Sequence, residues 1–210
     1  MEAAFWEKKW QDNEIGFHQK EFNPLMVRYF KALDLAKGCR VFIPLCGKTH
    51  DIAWFLSQGY QVVGVELSEK AVVQLFESLG VTPEVTQCGD LVKYSSVDVE
   101  VFVGDFFRLN RKILGRVDAI YDRAALVALP HEMRQDYTAH LVTSCGGAPQ
   151  LLINFEYDQL QMNGPPFSIS KTELEAHYSL HYQITLKEST AVPGGLKGVC
   201  PAVEQAWLLN

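Results

Sequence analysis

The sequence predicts an α/β fold in which a mostly parallel sheet carries helices on both faces. Three observations predict it. Short β-rich runs alternate with helix-like stretches from about residue 25 to 155, the order from which parallel sheets are built. Several of those runs are almost continuously apolar, as strands covered on both faces must be. The last two runs have no convincing helix between them, so they pair antiparallel at the sheet edge.

Taken in order, residues 1–24 read as an N-terminal helix and loop ahead of the sheet. Phe5-Trp6 and Trp10 fall about one helical turn apart, so both indoles share a face. That face either docks on the core or closes as a lid over a bound ligand. The strand candidates are Arg40–Cys46, Gln61–Glu66, Glu100–Gly104, Val117–Asp122 and Leu151–Glu156. Between them His50–Ser57, Glu69–Leu79 and His131–Ser144 read as helices. Ser68 suits the entry of the second helix, where its hydroxyl accepts from free backbone N–H groups, and Gly80 closes it. Residues 84–103 lack a helical pattern and read as a further β-ribbon. Tyr182–Glu188 and Val203–Leu209 form the final antiparallel pair.

At 210 residues the chain is one domain, 1–210, and needs no metal or disulfide to hold its core. Nineteen basic against 25 acidic residues leave a formal charge of −6, which argues against a nucleic-acid partner. The five cysteines are widely spaced, with neither a C-x-x-C nor a Cys/His cluster, so neither a disulfide framework nor a metal site is expected. The start MEAAFWEKKW lacks the layout of a secretory signal, and no apolar run is long enough to cross a bilayer. The expectation is a cytoplasmic, reduced protein, a monomer by default, with a small-molecule partner and no membrane.

Ligands of open α/β sheets bind beyond the carboxyl ends of the strands. There the first strand runs into Pro44-Leu45-Cys46-Gly47-Lys48-Thr49, and the second ends in Glu66. A carboxylate at that distance suits a ribose diol, though it also reads as a solvated strand end, and Gly47 as a plain turn residue. No G-x-G-x-x-G is present, and Leu45, Cys46 and Lys48 stand where a pyrophosphate needs bare backbone. A nucleoside without phosphates, such as S-adenosylmethionine, fits better than a dinucleotide; an NAD(P)-dependent oxidoreductase on the same sheet is the rival. Asp105 followed by Phe106 suits an adenine, the carboxylate taking the exocyclic amine and the ring covering a base face; the alternative is a helix cap. Asp122-Arg123 reads as a strand-end ion pair or as an anion site through Arg123. His18 and His50 carry little weight singly, and Cys46 has no evident base to activate its thiol.

Several motifs together resemble one family. They are W-x-x-x-W followed by G-F-H-Q (Trp6, Trp10, Gly16–Gln19), V-F-I-P-L-C-G-K (Val41–Lys48), V-V-G-V-E-L-S-E (Val62–Glu69) and G-D-F-F-x-L (Gly104–Leu109). D-x-I-Y-D-R-A-A-L-V-A-L (Asp118–Leu129) and G-P-P-F (Gly164–Phe167) complete the set. In this order the chain is similar to thiopurine S-methyltransferases of the bacterial type. The resemblance implies a class I methyltransferase (Rossmann-like) fold with a seven-stranded sheet and an antiparallel last strand pair. It implies S-adenosyl-L-methionine as methyl donor, no metal, and an aromatic or heterocyclic thiol as acceptor. Selenium or tellurium species, and with them tellurite resistance, are the other acceptor reading. Trp10, Leu45, Gly47, Glu66, Asp105, Phe106 and Arg123 are thereby implied to bind the cofactor, and Phe17 and Arg123 the acceptor. No catalytic acid or base is implied.

Overall fold

The computed structural model describes residues 3–16, 18–19 and 21–210. Phe17 lies outside them. The chain order is α1 (Ala3–Gln11), α2 (Pro24–Tyr29), β1 (Arg40–Pro44), α3 (Asp51–Ser57), β2 (Gln61–Glu66), α4 (Glu69–Leu79), β3 (Glu84–Cys88), β4 (Leu91–Ser96) and β5 (Val99–Val103). It continues with α5 (Arg111–Leu114), β6 (Ala119–Arg123), α6 (His131–Cys145), β7 (Gln150–Tyr157), α7 (Lys171–Tyr178), β8 (Ile184–Ala191) and β9 (Ala202–Leu209). Among the described residues the strands form one nine-stranded sheet in the order β3-β4-β5-β2-β1-β6-β7-β9-β8.

The centre, β5-β2-β1-β6-β7, is parallel throughout. Its apolar runs have a direct physical cause. Successive residues of a strand face opposite sides of the sheet, and both sides here are covered. Phe42, Val63, Val65 and Ile120 enter one core, while Val41, Ile43, Val62, Ala119 and Tyr121 enter the other. On α4, Ala71, Val72, Leu75 and Phe76 form the buried stripe. The Ser68 hydroxyl accepts from Ala71 N–H at its start, and Gly80 ends it at φ +69°, as the sequence indicates.

Both margins are antiparallel. β9 inserts between β7 and β8, pairing Gln150 with Leu209 and Ile184 with Leu209, so the expected final pair is present. At the other margin β3, β4 and β5 form a meander, the ribbon anticipated within residues 84–103. This ribbon corrects the strand count: nine rather than seven, because β3 and β4 extend the sheet beyond β5.

From β1 the chain steps outward one way through β2 and the other way through β6. The carboxyl ends of these three strands therefore share one rim at the point where strand order reverses. Leu45, Glu66 and Arg123 are brought together there.

Candidate ligand-binding rim

After β1 the backbone turns sharply through two left-handed residues, Leu45 at φ +46° and Gly47 at φ +53°. Leu45 packs part-buried against the core. The turn brings Gly47 N–H to the carboxylate at the end of β2, where Glu66 Oε2 accepts it at 2.8 Å. Glu66 Oε1 accepts Ser68 N–H at 2.9 Å. The carboxylate is only 6% exposed. Burial raises its pKa, opposed by the backbone N–H groups of Ser68, Gly47 and Leu67. Beyond the bonds from Gly47 and Ser68, a carboxylate has acceptor capacity for a further donor.

The other wall of this corner comes from the N-terminal helix. Trp10 is 4% exposed, and its Cζ2 and Cη2 lie 3.0 and 3.3 Å from where a Cβ on Gly47 would stand. Only glycine permits that approach at that backbone angle. Cys46 is buried, and that burial, then the charge of Glu66, push its thiol far up. That makes it inert as a nucleophile at neutral pH.

Asp105 is exposed, and its Oδ1 accepts Phe107 N–H at 3.0 Å, capping the turn Phe106–Arg108. The capping alternative therefore holds for one oxygen. Phe106 departs from expectation. Its ring is 5% exposed and packs into the core at 4.9 Å from both Tyr137 and His140. An apolar ring between β5 and α6 gains more from that burial than from a polar rim, so it does not offer a face to a base. Phe107 is the exposed ring of the pair.

Asp122 and Arg123 do not pair with each other, because adjacent strand residues point to opposite faces. Asp122 is buried, accepting Tyr137 O–H at 2.7 Å and Leu126 N–H at 3.2 Å, and burial raises it to about 6. Arg123 faces the rim, with Nη1 3.7 Å from Asp51 Oδ2. Asp51 is itself buried and accepts Asn23 N–H at 2.8 Å and Tyr121 O–H at 2.9 Å. His18 lies with its ring 5.0 Å from that of His50. Burial first, then the nearness of His50, Lys48 and Arg123, lower its pKa, with Asp51 opposing. The two histidines given little weight singly thus stand together near Arg123. Asp51 and Asn23 were missed, and their separation in sequence offered no signal.

The G-P-P-F segment is tied to the turn that follows β6. Phe167 N–H donates to Val127 O at 2.7 Å, and Tyr157 O–H to Pro166 O at 2.7 Å. Val127 belongs to the turn just beyond Arg123. The buried Arg134 guanidinium sits 5.3 Å from the Phe167 ring and bonds Glu173 Oε1 at 2.6 Å. A cavity of about 520 Å³ bounded by Cys88, Lys93, Glu100, Asn110 and Lys112 opens elsewhere and shares no residue with the rim. Among the described residues no group of three or more His, Cys, Asp or Glu side chains could hold a metal ion, and no helix is long and apolar enough to cross a membrane.

Comparison with known proteins bears on the family and the fold. A family model described as Thiopurine S-methyltransferase matches residues 1–198. The chain is 50% identical over 211 residues to a thiopurine S-methyltransferase of Xanthobacter autotrophicus, covering 100% of this chain and 99% of that one. A second, of Gluconobacter oxydans, is 46% identical over 205 residues, covering 98% and 93%. Among solved structures the fold is similar to Burkholderia thailandensis 1,6-didemethyltoxoflavin-N1-methyltransferase with bound S-adenosylhomocysteine, at a TM-score of 0.65 and 17% identity over 99% of this chain and 87% of that one. It is equally similar to magnesium protoporphyrin IX methyltransferase from Synechocystis with bound S-adenosylhomocysteine, at a TM-score of 0.65 and 12% identity over 99% of both chains.

Proposed function

Because the chain belongs to the thiopurine S-methyltransferase family, and is an S-adenosylmethionine-dependent S-methyltransferase, we propose how its rim divides the work. Glu66, Gly47, Leu45 and Trp10 hold the methyl donor. Asp105 and the backbone of Phe106 meet its base. Arg123, with Phe17 and the G-P-P-F segment, receives the thiol.

One observation carries this reading. The Glu66 carboxylate is buried and oriented by Gly47 and Ser68 N–H groups, yet it keeps acceptor capacity toward a diol. A glycine cradle under the Trp10 indole adjoins it, with no G-x-G-x-x-G loop to bind phosphates. These residues fit a sulfonium nucleoside, and the NAD(P) oxidoreductase reading finds no support. The donor, when bound, supplies a methyl group on a positively charged sulfur that is already a good leaving group.

The protein's own part is alignment and exclusion of water. Glu66 fixes the donor's ribose, so that an acceptor sulfur can be held at about 3–3.5 Å in line with the methyl carbon. A heteroaromatic thiol is largely ionised near neutral pH, so no dedicated base is required. Arg123, steadied by Asp51, stabilises the thiolate. Trp10 closes over the donor and keeps bulk water out.

The direct test is a labelled-methyl assay with S-adenosylmethionine against a thiopurine, a simple aromatic thiol, a phenol, selenite and tellurite. Label in the thioethers confirms the acceptor class. Label in the phenol or the metalloid arms with none in either thiol overturns it.

A further inference from the structure

We propose that Lys70 is a positioning residue for the donor corner: its ammonium clamps the end of α1 and so holds the Trp10 indole over Gly47 and Glu66. The last carbonyls of a helix lack intrahelical partners and carry partial negative charge. In α1 two of them, Trp10 O and Gln11 O, accept from Lys70 Nζ at 3.0 and 3.2 Å. The basic residues in the last turn of α1 itself point elsewhere, Lys8 to Asp12 and Lys9 to Glu14. The cation at those carbonyls therefore comes from α4.

One helical turn further along α4, Gln74 Oε1 accepts from Lys48 Nζ at 2.9 Å. A single stretch of α4 thus ties both walls of the corner: the end of α1 that carries Trp10, and the loop that carries Gly47. The indole lies 3.0 Å from where a Cβ on Gly47 would stand, so a small slackening of α1 opens the corner directly. This inference rests on the assignment of Glu66, Gly47 and Trp10 to the donor.

The test compares Lys70→Met, which keeps the apolar stem and removes the donors, with Lys70→Arg, which restores them. Hydrogen exchange of the α1 amides is read in the ligand-free protein, and S-adenosylhomocysteine affinity by calorimetry. In Lys70→Met, exchange across α1 quickens and the dissociation constant rises about three- to fivefold. Lys70→Arg restores both, while acceptor KM at saturating donor and the melting temperature stay at native values. Native affinity in Lys70→Met alongside weakened binding in Glu66→Gln overturns the clamp alone. Native affinity in both variants overturns the donor assignment beneath it. A parallel rise in acceptor KM with a lowered melting temperature marks Lys70 as general packing and overturns the clamp as well.

Discussion

Glu66 accepts the Gly47 N–H at 2.8 Å across 19 residues of sequence. That bond joins the turn after β1 to the end of β2 and aims a buried carboxylate along the rim. Replacing Glu66 with Gln removes the charge and sets an NH2 group against a backbone donor. Charge-assisted hydrogen bonds are worth about 1.5–3 kcal/mol each, so S-adenosylhomocysteine affinity falls roughly 10- to 100-fold. One buried N–H loses its acceptor, lowering the melting temperature by a few degrees. Titration calorimetry checks the first and a thermal melt the second. Native affinity in the variant removes the carboxylate from the donor site.

Gly47→Ala probes the other side of the corner. At φ +53° an L side chain costs on the order of 1–2 kcal/mol, and the new Cβ would lie 3.0 Å from Trp10 Cζ2. The indole has to move. Expected are a changed tryptophan emission spectrum and weaker donor binding by several-fold, with the far-UV dichroism retained. An unchanged spectrum and affinity together would show that Trp10 does not depend on this contact.

How far the sequence carried the fold is clearest along β1, β2 and β6. Their continuous apolar runs announce a sheet covered on both faces, and the alternation of Phe42 with Val41 and Ile43 between two cores is the reason. Ser68 and Gly80 were legible because capping is local chemistry. What escaped depends on residues far apart in the chain. The Phe106 ring turns into the core because α6, 25 residues later, offers Tyr137 and His140. Arg123 meets Asp51 rather than its neighbour Asp122, a choice set by strand alternation and the placement of α3. His18 with His50, and Lys70 with the end of α1, join only after the sheet has assembled.

Asp122 makes stability depend on pH in an unusual direction for a carboxylate. Its folded value is raised from 3.8 to about 6 by burial, so the native state binds the proton more tightly than the unfolded chain. The associated stabilisation is complete below the unfolded value and is lost as pH rises through the folded one. The interval corresponds to on the order of 3 kcal/mol. Asp122→Asn has no charge to bury and lacks this loss. Urea unfolding at pH 4.5 and pH 7 should show the native protein losing stability relative to the variant as pH rises. Parallel pH dependence in the two proteins would refute the assignment.

In the proposed site the charge of Arg123 acts on the acceptor's ionisation. A guanidinium beside a thiolate favours the ionised form and typically lowers its pKa by one unit or more. The pH dependence of kcat for a weakly acidic thiol therefore carries an acidic limb set by the bound thiol, displaced downward by Arg123. Arg123→Gln moves that limb up by about one pH unit and lowers kcat/KM for the thiol roughly 10- to 100-fold near neutral pH. A thiol already ionised well below the assay pH shows the smaller loss. The Asp51 carboxylate keeps its bonds from Asn23 N–H and Tyr121 O–H in the variant, so the rim stays built while the cation is gone. If the limb stays in place and both thiols lose rate equally, Arg123 serves the donor or the fold rather than the thiolate.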